Sequence, residues 1–436
     1  MVEKEIKLQR RYGILHGVGV ISGLVFGSGI YVAPTGILRQ VNSGALALII
    51  WLVSGILSFV GALCYAELGA NAVKCLTFAK YVLEPIFDCG DVPMMADMFL
   101  AIIFCWFLVI INCFYVKWSA RTQTSFTICG IIALLSIIIT AVVHVSSEGK
   151  LNDPNFGLDK ATVSAEKIVL AFYSTFWAYG GYQALNFIVD EIEKPKRNLP
   201  IAIGISAIIS IVFYISINFA FIAVLGSETV ANTVAVGSLF AKKMWGPLWF
   251  LISICISINL AGSFNSGLVI ASRLTFIAGK KGDFGSAMSL VSIKYLSPVV
   301  AILTEGIVIT LAILVRDIYL ILNLSVFFNQ ASEALVFLGL IIWRFKKPTM
   351  DRPIKLPLPL LIFFVALLFL LLIVTAYSKP LHTVLGLAIF VSTGLGYYFI
   401  FVSWKNKPKS YLKLRHTVTV FLQKLFYAAN EDTDDS

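Results

Sequence analysis

The residues here whose types and spacing suit chemistry are glycines. One cluster lies in FGSGIYVAPTG, Phe26 to Gly36, and a second in FWAYGGYQ, Phe176 to Gln183. Each interrupts a strongly apolar run, and in lipid an unwound backbone is tolerated only where protein buries it or it lines a cavity. At the first break, Gly27, Ser28 and Gly29 can expose N–H groups. The half-helix that follows turns its positive end to the same spot, which suits a carboxylate. At the second, Gly180 and Gly181 free the carbonyls around Trp177, Ala178 and Gly180, which can accept hydrogen bonds from an ammonium. A carboxylate and an ammonium on one carbon describe an α-amino acid. The competing reading of Gly19, Gly23 and Gly27, spaced four apart, is close helix packing; two clusters at corresponding places of a repeat favour binding. Trp177 reads either as a lid or as an aromatic filling space. Gln183 is uncharged and no Asp or Glu lies in residues 172 to 186, so the segments suit a neutral side chain.

Other chemistries find no constellation. The histidines, His16, His144, His382 and His416, are scattered and give no metal site. There is no Walker A loop, the GKKG near Gly279 has the wrong spacing for phosphate, and no hydrolase signature appears. The expectation is a protein that is not an enzyme and carries no cofactor.

What must position the breaks is a membrane. Of 436 residues, 58% are apolar and 13% charged, against about 45–50% and about 25% in soluble domains. The net charge of +10 is spread over short segments between apolar runs, as in cytosolic loops, and not in a basic patch for nucleic acid. A hydrocarbon core about 30 Å thick needs about 20 apolar residues of helix. Eleven runs meet this, near 14–38, 44–66, 97–115, 126–145, 166–189, 200–225, 246–272, 297–315, 318–343, 357–376 and 383–403. The charged opening lacks the apolar core of a signal peptide, so the N-terminus is expected in the cytosol. With eleven spans, every cationic segment from Lys117 and Arg121 onward would then fall outside. One more crossing between Ala66 and Asp88 returns them all to the cytosol, and puts Asp88, Cys89 and Asp91 on the oxidising side. Yet Leu76 to Phe87 is only about 18 Å of helix. Many transporters are two inverted repeats, each opening with a glycine-broken helix; on that plan the first half is one span short.

The domain reading is a cytosolic N-terminus, 1–13; a transmembrane domain, 14–404, with repeats at about 14–145 and 166–343 and two further spans at 357–403; and a cytosolic tail, 405–436. In the tail, Leu414, Val418, Leu422, Leu425 and Phe426 share a face, as in a helix lying on the membrane surface. Asp190 and Glu191, after the second break, suit a cytosolic gate, or ordinary loop solvation. The stretch Asn323 to Ser325 falls within an apolar run and no loop carries a glycosylation sequon, so glycan-dependent trafficking would fall to a partner.

GSGIYVAPTG, GALCYAELG, INCFYVKWSARTQ, FWAYGGYQALNFIVDEIEKPKRNLPIAI and NSGLVIASRLTF resemble blocks of the L-type amino-acid transporters, light subunits of heteromeric transporters. The resemblance runs in order over nearly the whole chain. It implies an all-α polytopic protein of the leucine-transporter type, with an inverted repeat and twelve spans where eleven are clear, exchanging amino acids across the plasma membrane without sodium. It places Val25, Ser28, Gly29 and Ile30 at the carboxylate, Trp177, Ala178 and Gly180 at the amine with Trp177 as gate, and Cys89 where a disulfide joins a single-pass glycoprotein heavy subunit. Two departures stand out: most of the third span is missing after AELG, and Gly130 stands where many relatives carry a lysine. The first motivates a rival reading, a transport-inactive short form that keeps only heavy-subunit binding.

Overall fold

The computed structural model describes residues 13–61, 70–83, 94–114, 116–149, 151, 153–161, 164–181, 192–233, 235–280, 285–315, 318–346, 357–378, 380–397, 399 and 408–430. The chain is an all-α polytopic membrane protein, and every apolar run of the sequence carries a helix. They are α1 (Ile14–Val25), α2 (Gly29–Val41), α3 (Gly44–Gly61), α4 (Ala70–Leu83), α5 (Met94–Phe114), α6 (Val116–Glu148), α7 (Ala165–Ala178) and α8 (Pro195–Leu225). The short α9 (Ser227–Asn232) and α10 (Val236–Trp245) follow, then α11 (Trp249–Lys280), α12 (Val299–Ile313), α13 (Ile318–Lys346), α14 (Leu358–Ser378), α15 (Pro380–Tyr397) and α16 (Lys409–Phe426). Among the described residues, six helices are long and apolar enough to cross a membrane, or seven with the bent pair α1–α2.

Side-chain distribution explains why this bundle needs lipid. On α5, Phe99, Ile103, Phe107, Ile110 and Phe114 form a helical stripe that is exposed, as do Ile128, Ile132, Leu135, Ile139 and Val142 on α6. Exposed apolar area of this extent marks an interaction surface, and the bilayer is the one that fits helices of this length. The inward faces hold polar groups instead: Ser206, Ser210, Asn218, Ser253, Asn259 and Ser263 are buried.

The core gathers on the broken helices. α2 packs along α7, α1 along α8 and α11, and α3 against α8 and α7. Trp51, Tyr179 and Tyr214 lock α3, α7 and α8 together: the Trp51 and Tyr214 rings stack at 4.6 Å, and the Tyr179 hydroxyl donates to the Trp51 carbonyl at 3.0 Å.

In the segment where the loop charges call for an additional crossing, the structure places α4. It begins at Ala70, earlier than the Leu76 the sequence suggests, and its 14 residues span about 21 Å at 1.5 Å per residue. It is buried against α11, α5, α12 and α13, with Tyr81 against Tyr31 and Phe78 stacked on Phe104 at 3.7 Å.

The one strand pairing among the described residues joins distant parts of the chain. β1 (Leu290–Ser292), between α11 and α12, runs antiparallel to β2 (Ala428–Asn430), just after α16.

Candidate substrate-binding site

The first break is Phe26, Gly27 and Ser28, between α1 and α2, which meet at 43°. The helix ends because the Phe26 N–H closes the last turn on Ser22 at 2.9 Å, and α2 restarts as Ile30, Tyr31 and Val32 take Gly27 and Ser28 carbonyls. Leading N–H groups of such a helix have no intrahelical acceptor. The second break follows Ala178: Tyr179 N–H returns to Thr175 and Gly180 N–H to Trp177, and Gly181 takes φ +121°, open to glycine but strained for other residues.

The two breaks touch. A Cβ on Gly29 would lie 2.7 Å from the Ala178 Cα, and one on Gly181 would lie 3.0 Å from the Leu24 Cβ. These glycines are what let the two backbones meet. Val25, Gly27, Ser28, Gly29, Ile30, Ala178 and Gly181 are all buried at this junction, and Trp177 is half-buried between the two main core clusters. Gln183, Asp190, Glu191 and Cys89 lie outside the described residues.

Three side chains that glycine spacing did not reveal complete the junction. The Tyr214 hydroxyl lies 2.6 Å from the Val25 carbonyl and 2.7 Å from the Ala178 carbonyl, so one phenol bridges both breaks. Asn259 donates its amide to the Phe26 carbonyl at 2.5 Å, and Ser263 its hydroxyl to Leu24 at 3.2 Å. The carbonyls ending α1 thus each have a protein donor. The Trp177 and Ala178 carbonyls, expected to be free for an ammonium, each also have an internal donor; a carbonyl has two lone pairs, so a second acceptance remains open.

Gly130 and Asn259 fit as a pair. A Cβ on Gly130 would collide with the Asn259 amide group, so the absence of a side chain on α6 is what admits the Asn259 side chain from α11. Gly27 likewise yields to Ser263. The junction is free of carboxylates among the described residues, but one cation approaches it. Lys74 of α4 is buried, with its ammonium 3.5 Å from the Ser263 carbonyl. No signal in the sequence marked it, because it precedes the expected start of that helix. Among the described residues no group of His, Cys, Asp and Glu could hold a metal, and Cys105 and Cys113 are buried free thiols.

Lipid-facing helices around two abutting helix breaks define a membrane transporter. Residues 69–402 match the model of the family described as "Amino acid permease". The chain is 30% identical to the rat "Large neutral amino acids transporter small subunit 2", over 99% of this chain and 88% of that protein. It is 29% identical to the human "Cystine/glutamate transporter", over 99% of this chain and 93% of that protein. With the human "b(0,+)-type amino acid transporter 1" it shares 29% identity over 99% of this chain and 95% of that protein. The chain belongs to the amino acid permease family, and it is an amino-acid transporter. Likeness to transporters over nearly their whole length does not favour the rival of an inactive short form.

Proposed function

We propose that the protein exchanges neutral L-amino acids, the α-carboxylate held by N–H groups at the start of α2 and the ammonium by carbonyls of the α7 break. The observation that carries this reading is the contact of the two breaks, Gly29 on Ala178, with Tyr214 at both. Trp177 is the lid over the bound molecule, and Val25, Ile30, Gly180 and Gln183 complete the lining. Alternating access follows from one bundle rocking against the other about this point, as in inverted-repeat transporters. The large neutral amino acid relatives support the cargo class.

A second cargo reading has its own observation. Lys74 offers a buried cation near the site, which suits an acidic side chain, and one relative is named for cystine and glutamate. Competition decides between them. Leucine or phenylalanine displacing labelled substrate better than glutamate supports neutral cargo; the reverse order supports Lys74 as an anion partner.

The same reading includes the plasma membrane, both termini in the cytosol, Asp190 and Glu191 at the inner gate, and a heavy subunit bonded through Cys89. The relative named "small subunit" supports a partner. On a non-reducing gel, Cys89→Ser should abolish the heavier band that reduction removes; its persistence in the variant would rule out Cys89.

A further inference from the structure

The last helix presents three parallel stripes, each offset by one residue, or about 100° of helix. The first is Arg415, Thr419, Leu422 and Phe426, and it is docked. Arg415 donates to the Ser286 hydroxyl at 3.2 Å, the Ser286 and Thr419 hydroxyls lie 3.4 Å apart, and Leu422 and Phe426 pack with Leu290, Val300 and Ala428. The β1–β2 pairing continues this clasp, and Ile293 N–H donates to the Tyr427 carbonyl at 3.0 Å. The orientation of α16 is therefore fixed against the α11–α12 connection.

That docking turns Leu422 and Phe426 inward, away from the face expected for them with Leu414, Val418 and Leu425, and leaves the second stripe outward. Leu414, Val418, Phe421 and Leu425 are exposed, Leu414 at 63% and Phe421 at 60%. The third stripe carries Lys409, Lys413 and Lys424, and the helix contains no acidic residue. An apolar stripe flanked by cations and without carboxylates matches the boundary of an anionic leaflet: side chains enter the acyl region and ammonium groups meet headgroup phosphates.

We propose that α16 is a surface for acidic phospholipid of the cytosolic leaflet, and that it passes this contact to the transport site. The clasp holds the α11–α12 connection, Thr275 of α11 donates to Glu305 of α12 at 2.7 Å, and α11 supplies Asn259 and Ser263 to the first break. Acidic lipid thereby favours one position of α11 and speeds exchange. This rests on the cytosolic placement and exchange activity proposed above.

The test uses the full chain with its partner subunit in vesicles of phosphatidylcholine alone or mixed with phosphatidylserine. Trypsin should cut after Lys413 and Lys424 in neutral vesicles and at least about tenfold more slowly when phosphatidylserine is present, since each basic residue near such a surface adds to the attraction. Exchange should rise severalfold with phosphatidylserine, and Lys409→Glu, Lys413→Glu and Lys424→Glu together should remove that rise while preserving the neutral-vesicle rate. Equal digestion in both lipids overturns the proposal. So does protection that follows protein concentration instead of lipid charge, which would mean a second copy covers the stripe. A lipid effect equal in the wild type and the triple variant overturns the route to the site. Absence of exchange in every vesicle would overturn the transport reading, while digestion still decides the lipid surface.

Discussion

Tyr214 has one proton and two carbonyls to serve, at 2.6 and 2.7 Å. Tyr214→Phe leaves both buried acceptors one donor poorer, a cost of about 1–3 kcal/mol, or roughly 5- to 160-fold in rate where the cost falls on the moving state. Counterflow in vesicles should drop by that factor at unchanged expression; an unchanged rate would make the bridge incidental. Asn259 and Gly130 call for a cycle. Gly130→Lys drives a side chain into the Asn259 amide, and Asn259→Ser leaves the Phe26 carbonyl without its donor, so each should lower exchange by about tenfold. Together the new ammonium occupies the vacated space and reaches the same carbonyl, and activity should return; losses that simply add would refute the pairing. The glycines were legible in the sequence because a break in lipid needs them locally. Tyr214, Asn259 and Ser263 were not, because each meets a carbonyl at the end of α1 across 189 to 239 positions of chain, and a mid-membrane Asn or Ser is equally at home against its own helix.

At the scale of elements, the difficult one is α4. Charge on the loops called for a crossing between Ala66 and Asp88, and within that segment the structure describes a buried helix of 14 residues. The alignment with the rat relative runs over 478 positions against 436 residues in the chain, so the relatives carry segments that this chain lacks. Its existence was readable only from the charge on the loops, because no apolar run of spanning length lies there; that it reaches back to Ala70 was not, because Ala70 to Cys75 mixes polar and apolar residues and is stabilised by what packs around it. If the segment crosses, Cys89 faces outward, and after reduction a membrane-impermeant maleimide should label it on intact cells and fail to label Cys89→Ser. Labelling only after permeabilisation would place Cys89 inside and reverse the topology beyond it. Gly29→Ala tests how tightly the elements meet: with the Ala178 Cα 2.7 Å from the added carbon, overpacking of about 1–3 kcal/mol should abolish exchange while the chain still reaches the surface.

The whole molecule is a bundle whose outer face is fitted to lipid and whose inner polar groups converge on two backbone breaks. Hydropathy made the all-α membrane class legible, and paired glycine clusters made the two helix breaks legible. The tail clasp was not, because the β1–β2 pairing depends on a short loop that meets the chain's end only in three dimensions. The central claim is exchange of an amino acid through that junction, and counterflow measures it most directly. Vesicles containing the chain and its partner subunit should take up labelled leucine many times faster when loaded with unlabelled leucine than when empty. Uptake at the same rate in loaded, empty and protein-free vesicles would contradict the account.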